Sequence, residues 1–136
     1  MDPTYATILL VEDEAAIRSI MRMFLEDIGY KVIEAQDGRE GLERYRALPI
    51  DAIISDIHMP EMNGLEMIQA IRQYEPAATV IAMSSDPEQL SLAYHVGAQQ
   101  TLMKPFDLSE LCRVVDGISV HMGGHKICSS AHRINA

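Results

Sequence analysis

The stretch SDIHMPEMNG, residues 55–64, places a carboxylate between an apolar run and a predicted helix. The apolar run IDAII leads directly into Asp56, Met59-Pro60 then interrupts any regular element, and a new helix begins near Asn63. Burying an ionised carboxylate is costly unless a cation or hydrogen bonds compensate it. Asp56 is therefore either a turn residue that reaches solvent or a charge held in place for chemistry.

Short apolar runs alternate with stretches of helical periodicity on both sides of Asp56. The runs are ATILLVE (6–12), YKVIEA (30–35), DAIISD (51–56), ATVIAMS (78–84) and QTLMK (100–104). Between the first two, apolar residues recur at helical spacing: Ile17, Ile20, Met21, Phe24 and Ile28. Repeated strand–helix alternation predicts an α/β domain with a parallel sheet that is covered on both faces.

The predicted helices also carry start and stop signals. Pro87 suits a first helical position, and Gly29 and Gly97 fall where helices should end. In a capping box, an N-cap side chain and a Glu or Gln three positions later each bind the other's backbone N–H. Such pairs occur at Asp37/Glu40, Asn63/Glu66, Asp86/Gln89 and Asp107/Glu110.

Composition limits the functional classes. The 136 residues carry a net charge of −9, and 48% of them are hydrophobic, which is typical of one globular domain. The acidic surface would be repelled by phosphate backbones, so direct nucleic-acid binding is not expected. No apolar run approaches membrane-spanning length, and the N-terminus lacks the basic region of a secretion signal. We expect a cytoplasmic protein that does not enter a membrane.

The C-terminal residues differ in composition from the rest. No acidic residue follows Asp116, so we expect a domain over residues 1–118 and a short tail without its own fold over 119–136. Histidines and a cysteine in the tail allow two hypotheses, a transition-metal site or a frayed helix end followed by a flexible segment. Gly123-Gly124 favours the second. The pattern is H-x3-H-x2-C-x3-H at His121, His125, Cys128 and His132.

Polar side chains follow four of the predicted strands. Because parallel strands end at one edge of a sheet, these side chains should lie near each other. If the strands are ordered 2-1-3-4-5, the first and third strands are neighbours, which would bring three carboxylates together. The residues are Glu12 and Asp13, Asp56, Ser84, and Lys104 before Pro105.

Three close carboxylates resist ionising together, and a hard divalent cation relieves their repulsion. Mg²⁺ fits best, because it accepts oxygen ligands completed by water and phosphate. Asp56 could then attack phosphorus and form an acyl phosphate, while the metal and Lys104 neutralise charge and Ser84 donates a hydrogen bond. Taken singly, each residue has a plain structural explanation; only the combination favours chemistry.

LLVEDE, SDIHMPEMNGLEM, VIAMSS and GAQQTLMKPF, within residues 5–118, resemble the receiver domain of bacterial response regulators. The resemblance implies a flavodoxin-like (βα)5 three-layer sandwich with a parallel five-stranded sheet of order 2-1-3-4-5, and a cis peptide bond before Pro105. It also implies site roles: Glu12 and Asp13 as the acidic pair for Mg²⁺, Asp56 as phosphoacceptor and metal ligand, the His58 backbone carbonyl as a further ligand, Ser84 as switch hydroxyl and Lys104 as the phosphate-binding lysine.

The implied function is a two-state switch in a two-component or phosphorelay system. A histidine kinase or histidine phosphotransfer protein donates the phosphoryl group, and a downstream protein reads the face of the fourth helix, fifth strand and fifth helix. Transfer and dephosphorylation are self-catalysed, so a turnover enzyme is not expected. The alternative is a receiver-fold interaction module that works without phosphorylation.

Three further positions modulate such a switch. Thr101 stands where the family usually has Tyr or Phe, and a small β-branched residue cannot fill the space of that ring. Either another side chain carries the signal, or the domain passes the phosphoryl group onward without a large output change. By resemblance, His58 and Asp86 influence the lifetime of the acyl phosphate; as an alternative, they are solvated surface residues.

Overall fold

The structure, a computed structural model, describes residues 6–121, with side chains described up to residue 117. The strands are β1 (Thr7–Val11), β2 (Lys31–Ala35), β3 (Ala52–Asp56), β4 (Val80–Ser84) and β5 (Gln100–Met103). The helices are α1 (Ala15–Asp27), α2 (Gly38–Ala47), α3 (Gly64–Tyr74), α4 (Pro87–Val96) and α5 (Leu108–His121). Every predicted apolar run contains a strand, and every intervening stretch contains a helix.

The strands form one parallel sheet of order β2-β1-β3-β4-β5, as predicted. β1 pairs with β3 from Ile8↔Ala52 to Val11↔Ser55, and β3 pairs with β4 up to Asp56↔Met83. The chain adds β2 on one side of β1 and then reverses direction to add β3 on the other. The carboxyl ends of β1 and β3 therefore meet at this reversal, where sites form in such sheets.

Alternation along the strands builds a core on each face of the sheet. Ile8, Leu10 and Ile54 are fully buried on the face covered by α1 and α5. Leu9 and Ile53, one residue along, are fully buried on the face covered by α3 and α4, with α2 packed at its side. Strands that are covered on both faces are typically rich in β-branched and aliphatic residues, and these strands are. The predicted three-layer sandwich is confirmed.

All four predicted N-cap residues cap a helix, but one of the four predicted capping boxes is complete among the described hydrogen bonds. Asn63 and Glu66 form a complete capping box, with Glu66 N–H donating to Asn63 at 2.9 Å and Asn63 N–H donating to Glu66 at 3.2 Å. Asp86 instead accepts from the N–H of Glu88 at 3.0 Å, so the predicted pairing with Gln89 is wrong. An N-cap carboxylate can satisfy either the second or the third helical N–H, and here it takes the second.

At the other two predicted capping boxes, the described hydrogen bonds form the N-cap half alone. Asp37 accepts from the N–H of Glu40 at 2.8 Å, and Asp107 accepts from the N–H of Glu110 at 2.9 Å. Gly97 has φ +115 at the end of α4, a backbone conformation that residues with a Cβ rarely adopt.

The tail hypotheses fall outside this description. His125, Cys128 and His132 lie outside residues 6–121, and the side chain of His121 lies beyond the described side chains. The metal hypothesis and its alternative therefore stay predictions. Within residues 6–121, no helix combines the length and apolar character needed to cross a membrane.

Candidate functional site

Three carboxylates converge where β1 and β3 end. Glu12 follows β1 and is 0% exposed, and Asp56 closes β3 with 7% exposed. Oxygens of Glu12, Asp13 and Asp56 lie within 4.8 Å of one another. The structure thus brings together the acidic residues that the sequence placed at adjacent strand ends.

Lys104, just beyond β5, connects two of these acids. Its Nζ donates to Glu12 Oε1 at 2.7 Å and to Asp56 Oδ2 at 3.1 Å. Burial by itself would lower the pKa of Lys104, but the hydrogen bond to Glu12 and the charge of Asp56 outweigh burial and raise that pKa above its ordinary value. Lys104 is therefore an ammonium that compensates two buried negative charges.

Asp56 is also held by the main chain around it. Its Oδ1 accepts from the backbone N–H of Ile57 at 2.8 Å, and its carbonyl accepts from the Ser55 hydroxyl at 2.8 Å. A Cβ at Gly64 would lie 2.4 Å from the Asp56 carbonyl oxygen, so only glycine lets α3 begin so close to the strand end. The carboxylate at the end of β3 is thus kept inside the protein by an ammonium and an amide.

Asp13 differs from its two partners because its side chain is exposed. Partial burial nevertheless raises the pKa of Asp13, and the hydrogen bond and negative charge of Glu12 raise it further. Crowding of like charges is the condition that a bound divalent cation relieves. An all-oxygen donor set within reach of one ion fits Mg²⁺.

Ser84 lies on the next strand beside this cluster. It closes β4 with 1% exposed, and its carbonyl accepts from the Lys104 backbone N–H at 2.9 Å. Its Oγ accepts from the Asp86 N–H at 3.0 Å, which leaves the hydroxyl proton available to a further acceptor. The Lys104–Pro105 peptide bond is cis, as the resemblance implied.

The remaining predicted positions lie around this group. His58 is exposed in the loop two residues beyond Asp56, and Asp86 is half-buried as the cap of α4. Thr101 pairs with Ala82 in the sheet, and its hydroxyl donates to the Tyr94 hydroxyl at 3.3 Å. An aromatic residue of α4 thus contacts the position where the family usually has one on β5.

Sequence reasoning missed three residues near the site. Tyr94 gave no signal, because its contact with Thr101 depends on how α4 packs beside β5. Arg18 of α1 donates to the Glu12 carbonyl and binds Glu34 of β2. Glu34 is an ionisable residue near the end of the second predicted strand, and the predicted site did not include it.

Comparison with known proteins gives the family. A model of the response regulator receiver domain matches residues 8–116. The chain is 35% identical over 115 residues to the chemotaxis protein CheY of Thermotoga maritima, covering 82% of this chain and 96% of that protein. It is 38% identical over 124 residues to a probable transcriptional regulatory protein of Picosynechococcus sp., covering 82% of this chain but only 49% of that protein.

Solved structures agree with this. The response regulator protein TrrA of Thermotoga maritima, in complex with Mg²⁺ and BeF, superposes with a TM-score of 0.78 and is 31% identical, covering 83% of this chain and 98% of that one. The chain therefore belongs to the response regulator receiver family. Members act in phosphorylation-based signalling as switches rather than turnover enzymes, typically bind Mg²⁺, and interact with histidine kinases or phosphotransfer proteins and with downstream targets.

Proposed function

We propose that this chain is a phosphorylation-dependent switch of a two-component system or phosphorelay, with Asp56 as the phosphoacceptor. A carboxylate oxygen of Asp56 attacks the phosphorus of a phosphohistidine, the P–N bond breaks, and its electron pair stays on the imidazole nitrogen, which then takes a proton. The observation that carries this proposal is the buried Asp56 carboxylate, bound by the Lys104 ammonium beside two further acids.

The neighbouring residues divide the work of transfer. Glu12, Asp13 and Asp56, with the His58 backbone carbonyl, would hold Mg²⁺, which supplies positive charge for the transferring phosphoryl oxygens. Lys104 exchanges part of its bonding with Glu12 and Asp56 for a phosphoryl oxygen. The Ser84 hydroxyl donates a hydrogen bond to another phosphoryl oxygen, so its orientation differs between the phosphorylated and the unphosphorylated protein.

The partners follow from this chemistry. A sensor histidine kinase or histidine phosphotransfer protein donates the group, and a downstream protein binds the α4–β5–α5 face or takes the group onward. Exposed apolar side chains on that face support the second contact: Leu92 is 46%, Tyr94 53% and Met103 40% exposed. We expect no direct binding to nucleic acid, because phosphate backbones would repel the net charge of −9, and no binding to a membrane.

The domain assignment and location are proposals as well. The match over residues 8–116 supports a receiver domain over residues 1–118, followed by the short tail 119–136. We place the protein in the cytoplasm, with self-catalysed phosphorylation and dephosphorylation as its only reactions.

Incubation of the full chain with acetyl phosphate and Mg²⁺, followed by intact-mass measurement, tests the central step. We expect one added phosphoryl group on the wild type and none on Asp56→Asn. Asp51→Asn is the matched control, because Asp51 precedes the same strand and its carboxylate accepts a bond from Thr7 N–H at 2.8 Å, far from the acidic cluster. Absence of added mass on the wild type would favour the phosphorylation-independent interaction module.

His58 tests the proposed modulation of acyl-phosphate lifetime. Because its exposed side chain lies two residues from Asp56, it can influence the approach of water to the acyl phosphate. We expect His58→Ala to change the decay rate of phosphorylated protein, followed by intact mass after acetyl phosphate is removed. An unchanged rate would identify His58 as a solvated surface residue. Asp86 is a less clean test, since its replacement also removes the cap of α4.

A further inference from the structure

Arg18 of α1 ties the loop after β1 to the neighbouring strand β2. Its Nη1 donates to the backbone carbonyl of Glu12 at 2.7 Å, and its Nε donates to Glu34 Oε1 at 3.1 Å. The side chain is only 19% exposed, and that of Glu34 is 32% exposed. A planar guanidinium can donate in two directions at once, which a lysine ammonium on a flexible stem does less well.

The orientation of the Glu12 carbonyl affects how the carboxylates of Glu12 and Asp13 are placed. The Glu12 N–H donates to the Ala35 carbonyl at 3.0 Å, and the Glu12 carboxylate is bound by Lys104 at 2.7 Å. The bond from Arg18 fixes the remaining polar group of this residue. Because the peptide unit is planar, fixing this carbonyl also fixes the amide of Asp13, from which the second acid departs.

Neighbouring glutamates compensate the charge of Arg18. Arg18 can therefore orient the Glu12 carbonyl without repelling a cation at the carboxylates. Glu34 accepts from Arg22 Nη1 at 3.0 Å through its second oxygen, and Arg22 lies 3.8 Å from Glu26. Two arginines are thus matched by two glutamates. The group holds the backbone of Glu12 without adding net positive charge beside the carboxylates, so it does not oppose a divalent ion there.

We infer that Arg18, held in place by Glu34, is a positioning residue for the metal-binding carboxylates Glu12 and Asp13. The inference rests on the proposed function, since it needs the acidic cluster to bind a divalent cation. It also makes a prediction that the proposed function does not make by itself. Loss of Arg18 weakens cation binding and leaves the phosphoacceptor Asp56 intact.

Arg22 provides a matched control. It lies one turn further along the same helix and binds the same glutamate, but it makes no bond to Glu12 among the described contacts. A general effect of weakening α1 or Glu34 would therefore appear in both variants. An effect through the Glu12 carbonyl would appear in Arg18 variants alone.

Mn²⁺ binding to the full chain, measured from the free-ion electron paramagnetic resonance signal, tests this directly. We expect Arg18→Met to weaken Mn²⁺ affinity about tenfold, as loss of a residue that orients a metal ligand typically does. Arg22→Met should stay close to wild type. Arg18→Lys, which keeps the charge, should also bind more weakly, and it serves if Arg18→Met does not fold.

A second readout separates positioning from a purely structural role. The Mg²⁺ concentration that half-saturates labelling by acetyl phosphate should rise in Arg18→Met, while labelling at saturating Mg²⁺ recovers. Adding Glu34→Gln to Arg18→Met should weaken Mn²⁺ binding no further, because Glu34 acts through Arg18. Additive losses would contradict this.

The outcomes distinguish two failures. If the wild type binds Mn²⁺ and Arg18→Met binds it equally well, or if Arg22→Met weakens binding as much, the positioning role is overturned and the proposed function stands. If the wild type binds no Mn²⁺ and takes no phosphoryl group, the proposed function fails and this inference fails with it.

Discussion

Two cations, Lys104 and Arg72, lie at opposite ends of the sheet and have opposite kinds of partner. Lys104 binds two ionised carboxylates at the carboxyl end. Arg72 of α3 binds the neutral carbonyls of Pro76 at 2.7 Å and Gly97, with further bonds to Ala78 and Gln99. The carboxylates bound by Lys104 lie within reach of one metal ion together with Asp13, whereas the carbonyls bound by Arg72 belong to the loops before β4 and β5 and hold these loops against α3. The same kind of contact thus belongs to the candidate site at one end and is structural at the other.

Lys104→Met should give the largest effect on chemistry. Removing the ammonium leaves the charge that develops on the phosphoryl group without a partner, and we expect phosphorylation by acetyl phosphate to slow about 100-fold or more. The measurement is the initial rate of phosphoryl addition by intact mass at a fixed, saturating Mg²⁺ concentration. A wild-type rate would remove Lys104 from the proposed machinery.

Arg72→Met should give the largest effect on stability. Several hydrogen bonds between α3 and the loops before β4 and β5 disappear, and partial access of water offsets some of the loss. We expect the free energy of unfolding to fall by about 2–3 kcal/mol in urea titrations. The rate of phosphorylation per folded molecule should stay close to wild type. A slowed rate in the folded protein would show that the two ends of the sheet are coupled.

Mg²⁺ should stabilise the wild type by binding to the carboxylates at the carboxyl end of the sheet. A ligand at ten times its dissociation constant adds about 1.4 kcal/mol to the free energy of unfolding. Asp13→Asn should lose most of this gain, because it removes one carboxylate while leaving the bonds of Lys104 in place. Thermal unfolding with and without Mg²⁺ measures the difference, and Arg72→Met serves as the variant that keeps the full Mg²⁺ response. Equal gains in Asp13→Asn and the wild type would place the ion elsewhere.

Thr101→Val should have the smallest effect. It keeps the shape of the side chain and removes the 3.3 Å hydrogen bond to the exposed Tyr94, so the loss in stability should be about 0.5 kcal/mol. Phosphorylation should be unchanged, because Thr101 lies away from the carboxylates. Urea unfolding and the labelling rate, compared with Tyr94→Phe as the reciprocal variant, measure both. A loss above that of Tyr94→Phe would mean that Thr101 makes a further contribution of its own.

The sequence predicted what depends on neighbouring residues and on strand order. Asp56 at the end of an apolar run and the capping box of Asn63 are local patterns, so they can be recognised from the sequence alone. The clustering of Glu12 with Asp56 followed once the family implied that β1 and β3 are adjacent.

What the sequence did not predict depends on the reach of side chains between elements. Whether Asp86 caps the second or the third helical N–H depends on backbone angles that residue types do not encode. Arg18 reaching the Glu12 carbonyl and Tyr94 meeting Thr101 both require helix positions relative to the sheet that periodicity leaves open.

The close approach at Gly64 has a practical consequence for protein engineering. Even one methyl group there would meet the Asp56 carbonyl and the Ile57 Cα at 2.4 and 2.8 Å, so a substitution at the helix start would shift the end of β3. The preceding loop is constrained as well, because Glu61 has φ +67 and the Met62 carbonyl accepts from the Gly38 N–H at 3.0 Å. Alanine at position 64 should therefore disturb the reactive end of the molecule, and a peptide tag or fluorescent insert should be placed away from the segment between Asp56 and Gly64.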